Sequence, residues 1–183
     1  MSFTPYSKGT GDDAGELYSV IIANSITINE GEAVKFDTNG FCTNGTAGAA
    51  IFGICIGFTQ ANGAPLIPAS YVAGTATGTD VTQVVAASNN QTVNMYKAII
   101  ETSKLKKWSA QVNGTINTTV GSSQPGFRVD VDSANTNYGR VLETTATRTD
   151  GTIANFFGWG LDPNDSTRFI VSIAASQKET KQG

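Results

Sequence analysis

Apolar and polar residues alternate along much of this chain with a period of two, the mark of strands half-buried on a sheet. The pattern predicts strands at "LYSVIIA" (17–23) and "AVKFD" (33–37), joined through "ITI" and the turn "NEGE". It continues through "IFGICIGF" (51–58), "VTQVVAA" (81–87), "TVNMYKAIIET" (92–102), "GFRVDVD" (126–132), "YGRVLET" (138–144), "IANFFGWGL" (153–161) and "RFIVSIA" (168–174). Nowhere do apolar residues recur at i, i+3, i+4 and i+7 over three turns, so no helix is predicted. Asn-Gly at 39–40, 44–45, 62–63 and 113–114 and Asp-Gly at 150–151 supply tight turns, and "DPND" (162–165) suits a type I turn. Short strands with this punctuation predict an all-β fold of antiparallel strands, a barrel or a sandwich.

One segment breaks the usual polarity. In "IFGICIGF" one face carries Phe52, Ile54, Ile56 and Phe58, and the other carries only Gly53, Cys55 and Gly57. "FGWGL" repeats the layout, with Phe157, Trp159 and Leu161 on one face and Gly158 and Gly160 on the other. Glycine weakens a strand and gives nothing to pack, so both small faces are expected to meet another backbone at close range. The large residues are expected in the core, as is most of the aromatic payload of Phe156, Phe157 and Trp159.

The chain divides into an arm (1–16), an N-terminal β-subdomain (17–88), a C-terminal barrel or sandwich (89–175) and a polar tail (176–183). Either "VAGTATGTD" (72–80) or "ASNNQ" (87–91) suits the seam between the two halves. Beyond the glycine echo, no strict internal repeat is visible.

Composition narrows the function. Charged residues make up 15% of the chain, below the roughly one-quarter usual for soluble domains, so Thr, Ser, Asn, Gln and Gly must cover the surface. Net charge is −3 and the pI about 4.8, which argues against nucleic acid as a partner. No apolar run reaches bilayer length and "MSFTPYSKGTGDDAGEL" has no signal-peptide core, so no membrane partner is expected and synthesis is expected in a cytoplasm. Histidine is absent, which removes Ser-His-Asp and Cys-His catalysis and His-ligated zinc. The only cysteines, Cys42 and Cys55, read as buried thiols. No catalytic residue, metal or cofactor is assigned.

Asp130 and Asp132 share a strand face with Asn135 just beyond, an oxygen set weighed for Ca²⁺ against a solvated strand face. "SKLKKW" (103–108) places Lys104, Lys106, Lys107 and Trp108 together, suited to an acidic partner surface or to guarding a strand edge. Phe3, Pro5 and Tyr6 lie outside any strand pattern, which makes the arm an anchor for a neighbouring subunit or a loose end.

The segments "VNMYKAIIETS", "VNGTINTTVGS", "RVDVDSANTNYGRVLETTATRTDGT" and "FGWGLDPNDSTRFIVSIA" together resemble the head decoration (cement) proteins of tailed bacteriophages. "ITINEGEAVKFDTNG…GICIGF" is similar to small capsid-associated β-modules. The resemblance implies a structural protein on the capsid exterior. It implies the major capsid protein and other copies of the chain, as a homotrimer, as partners. The other reading is a β-sandwich that binds carbohydrate or a host receptor, with exposed aromatics as a sugar platform.

Overall fold

The computed structural model describes residues 3–5, 17–60, 75–77, 96–113, 127–132, 140–143 and 155–174. Every regular element among them is a strand: β1 (Thr4–Pro5), β2 (Leu17–Ile21), β3 (Thr27–Asn29), β4 (Ala33–Phe36), β5 (Cys42–Asn44), β6 (Gly53–Gln60), β7 (Thr75–Thr77), β8 (Tyr96–Glu101), β9 (Trp108–Val112), β10 (Phe127–Val131), β11 (Arg140–Glu143), β12 (Phe156–Asp162) and β13 (Asp165–Ile173). The all-β expectation holds. The strand read at 81–87 lies outside the described residues; β1, β3, β5, β7 and β9 are strands that the alternation did not reveal, and β7 lies within the stretch 72–80 read as a seam.

Two sheets carry the described fold, and in each a parallel contact brings the third strand back to the first. In the first, β2-β8-β6-β4-β5 run in that order, and Ile22, just past β2, makes a parallel bridge back to Cys42 in β5. In the second, β9-β13-β12-β10-β11 follow one another, and β11 returns to β9 in parallel through Arg140–Gln111 and Val141–Val112. Setting aside the β3–β7 ribbon, the two rings have the same topology. Each orders its strands first, fifth, fourth, second, third, and each closes with a parallel contact from third to first.

The registers also coincide. Tyr18–Ile100 and Val20–Ala98 in the first ring match Trp108–Val171 and Ala110–Phe169 in the second. Val34–Asn44 and Phe36–Cys42 match Val129–Glu143 and Val131–Val141. The closing bridges match too, Ile22–Cys42 with Val112–Val141. So do the bonds beyond them: the Ala23 amide donates to the Cys42 carbonyl and the Asn113 amide to the Val141 carbonyl, each at 2.9 Å. The described strands therefore repeat one five-stranded arrangement. Interior positions correspond: Ile22, Val34, Cys42 and Ile100 fill the first core, and Val112, Val129, Val141 and Val171 the second.

The glycine echo falls on equivalent strands. β6 pairs Ile54 with Glu101 and Cys55 with Ile100, skips Ile56, and resumes at Gly57–Ile99 and Phe58–Ala98. β12 pairs Phe157 with Ser172 and Gly158 with Val171, skips Trp159, and resumes at Gly160–Ile170 and Leu161–Phe169. Both are β-bulges, in which one extra residue turns the alternation over. This corrects the expected single apolar face. Phe52, Cys55 and Phe58 join the first core, whereas Ile54 and Ile56 turn outward toward the core that includes the second barrel. In β12, Leu161 packs on the core while Trp159 is 39% exposed, so not all of the aromatic payload is interior.

The expected boundary after residue 88 also moves. β8 lies between β2 and β6 and completes the first barrel, so the junction is the connection from β8 to β9. The barrels share a hydrophobic cluster in which Ala33, Ile51 and Ile54 of the first join Val129, Phe156 and Ile173 of the second. Asn155 ties the junction together from a fully buried position. Its Nδ2 donates to the Thr46 carbonyl (3.1 Å) and to the Ala49 carbonyl, its Oδ1 accepts from the Val131 amide (2.9 Å), and its amide donates to Asp130 (3.1 Å).

Candidate interaction surface

The connection from β8 to β9 is a short, tightly bonded loop. Glu101, buried at the end of β8, accepts from the Ser103 amide (3.1 Å) and from Lys106 Nζ (3.2 Å). Ser103 Oγ in turn accepts from the Leu105 and Lys106 amides at 3.2 and 3.3 Å. A carboxylate and a hydroxyl thus satisfy backbone donors that a bare turn would leave to water. The loop holds Leu105 out into solvent, 71% exposed.

The lysines are positioned rather than trailing. The Lys106 ammonium lies 4.9 Å from the Trp108 ring centroid, and that of Lys107 lies 4.1 Å from the Trp159 centroid, both within cation–π range. Trp159 packs edge-on against Phe157 with centroids 4.9 Å apart, and its Nε1–H donates to Ser172 Oγ at 2.9 Å. Lys107, Trp159 and Phe157 form a continuous amphipathic strip beside the loop. The lysines sit in a loop rather than on an edge strand.

Two expected interface aromatics lie elsewhere. Trp108 is 1% exposed and points into the second barrel, where the alternation of β9 puts it. Phe3 is also interior: it packs 4.9 Å from Phe156, and its amide donates to the Gly31 carbonyl at 2.9 Å. β1 follows it, pairing Thr4 with Ser109 and Pro5 with Trp108. The arm's first aromatic therefore reaches its own core, and burying a phenylalanine contributes about 1.5–3 kcal/mol toward holding it there. Tyr6 lies outside the described residues.

The small-residue positions separate into distinct roles. A Cβ at Gly53 would run into the Glu101 carbonyl oxygen and come within 2.7 Å of Ile100 Cγ2, so the backbone of β8 is what excludes a side chain there. At Gly57 a Cβ would meet only Ile99 Cδ1, at 3.9 Å. Gly160 follows the second bulge with φ +137°, a conformation that glycine tolerates and other residues do not, while Gly158 is buried opposite Val171. Cys55 is buried, and burial pushes its thiol up to about 12 and that of Cys42 higher still.

Asp130 and Asp132 are not a solvated face. Asp130 is 1% exposed and accepts from the Asn155 amide and, at 3.4 Å, from the Gly48 amide of the first barrel. Asp132 is fully buried and accepts from Asn113 Nδ2 at 2.5 Å. Both serve as internal acceptors, and no cluster of three or more His, Cys, Asp or Glu with metal-binding geometry occurs among the described residues.

Two polar centres escaped the sequence reading. Asn155 is one; a single amide ahead of "FF" in an otherwise apolar run was its only signal. The other is Ser109, which donates to Asp162 (2.5 Å) and accepts from Arg168 Nε (2.7 Å), joining three strands of the second barrel. No family model matches this chain, and neither a curated protein nor a solved structure matches it.

Proposed function

We propose that this chain is a capsid decoration protein that attaches to the outside of an assembled phage shell and holds neighbouring capsid subunits together. The role is adhesive rather than catalytic. The observation that supports it best is the β8–β9 loop: an apolar residue, Leu105, is held outward on a short scaffold among Lys104, Lys106 and Lys107. An apolar anchor on a loop that also carries three lysines suits a protein surface that is apolar at its centre and acidic at its rim. The sequence resemblance to cement proteins supplies the capsid as that surface.

A ligand that binds the assembled shell but not free subunits stabilises the shell by mass action, and several attachment points multiply weak contacts. Purified protein is mixed with capsids that lack it and sedimented. Co-sedimentation with a raised capsid melting temperature is expected, and Leu105→Glu is expected to weaken both. Protein that stays in the supernatant and leaves capsid melting unchanged rejects this reading.

Trp159 is the one observation that favours carbohydrate recognition, because exposed aromatic rings stack on sugars. Lys107 already occupies a face of that ring, which leaves a poor platform. A clear glycan-array hit without capsid binding would favour that alternative.

A further inference from the structure

The duplication gives the exposed strip on β12 an internal counterpart whose covering is known. Phe157 and Trp159 stand at the positions that Ile54 and Ile56 hold in the first barrel, by register and by bulge. Ile54 is fully buried and Ile56 partly so, and both pack on the cluster that includes the second barrel's core. In the first barrel, then, the outward face of the fourth strand belongs to the apolar cluster that the two barrels share. In the second barrel the same face holds larger apolar side chains, yet Trp159 remains 39% exposed. Its polar edge is already satisfied by Ser172, and Lys107 covers one face of the ring while the strip beside it stays open.

We infer that the outward face of β12, centred on Phe157 and Trp159, seats a second copy of this chain. The equivalent face within the chain is buried in a cluster shared with a barrel of this same topology, so a further copy presents the kind of surface the face is shaped to meet. A face that meets a different surface on its partner builds a closed ring, and one that meets itself builds a dimer. The inference is independent of capsid binding and is tested with no capsid present.

Sedimentation velocity of the full chain over a concentration series tests it. Self-association is expected, and Trp159→Glu is expected to weaken it by a factor of about 10 or more, as loss of a central tryptophan does in other interfaces. Leu17→Glu, at an exposed residue of β2, is expected to leave it unchanged. In the unmodified protein, amide exchange across residues 156–162 is expected to slow as concentration rises, a readout that needs no variant. A monomer at every concentration overturns the inference, as does association that survives Trp159→Glu or exchange that ignores concentration. Iodide quenching that fails to reach Trp159 in the dilute protein also overturns it, because a segment of the same chain then covers the face.

Discussion

Ile56 and Trp159 occupy one position in two successive barrels: each is the extra residue of a bulge in the fourth strand, followed at once by a glycine. Their surroundings differ. Ile56 turns toward the junction between the barrels and Trp159 toward solvent. The bulge explains why both strands have small residues beside large ones, since the chain must reverse its inside and outside within two residues. Yet the glycines on either side of the extra residue are not interchangeable, and that difference can be measured.

Gly53→Ala is expected to destabilise by about 2–3 kcal/mol, because the new methyl meets backbone that cannot rotate away. Gly57→Ala is expected to fall within about 0.5 kcal/mol of the parent, since only a flexible isoleucine methyl lies in reach. Urea denaturation of both variants makes the comparison, and equal costs would remove the close-approach account of Gly53.

Asn155 bonds both barrels from one buried amide, donating to the first and accepting from the second. Asn155→Ala leaves the Val131 amide and the Thr46 and Ala49 carbonyls without that partner, a loss of about 2–4 kcal/mol. Asn155→Asp is expected to be worse near pH 7, because a second carboxylate would stand beside Asp130 and could not donate to the two carbonyls. Calorimetry is expected to show the single transition of the parent splitting toward two as the barrels uncouple.

Much of the first barrel and most of the second were legible as strands, because their inward residues alternate with polar ones. The duplication was not legible. Equivalent positions share a role but seldom an identity, as with Tyr18 and Trp108 or Cys55 and Gly158. The exceptions, among them Ser19 and Ser109, Val34 and Val129, and Gly57 and Gly160, are scattered. β9 was hidden because its tryptophan follows three lysines and reads as part of a charged patch. Asp130 and Asp132 were misplaced for a related reason: a carboxylate that accepts buried amides has the same letter as one in water.

Glu32 gives the fold a pH dependence of definite sign. Burial pushes its carboxyl above the ordinary value of 4.5, against the pull of two hydrogen bonds from Asn29. The folded state thus holds its proton more tightly than the unfolded chain. This contribution is fully present below pH 4.5 and is lost as pH rises through the raised folded value. Relative to the parent, Glu32→Gln is expected to flatten that part of the stability profile, measured as melting temperature against pH. Asp165 acts in the opposite sense, since its bonds from Thr167 lower its pKa and are lost on acidification, but it lies at the surface.

Cys42 and Cys55 are expected to resist thiol reagents in the folded protein at pH 8, because burial removes both access and thiolate. Labelling with a chromogenic disulfide is expected to be slower by orders of magnitude than in urea and to follow unfolding. Rapid labelling of either thiol without denaturant would contradict the burial described.

The ring order sets a schedule for a chain made from its N-terminus. In each barrel the first strand lies between the third and the last, so neither can shut until its fifth strand has emerged. The first can shut once Glu101 is free of the ribosome, whereas the second must wait for Ile173. In that interval the first barrel carries Ile54 and Ile56 bare on its outer wall, a sticky intermediate whose lifetime is the time needed to synthesise the second.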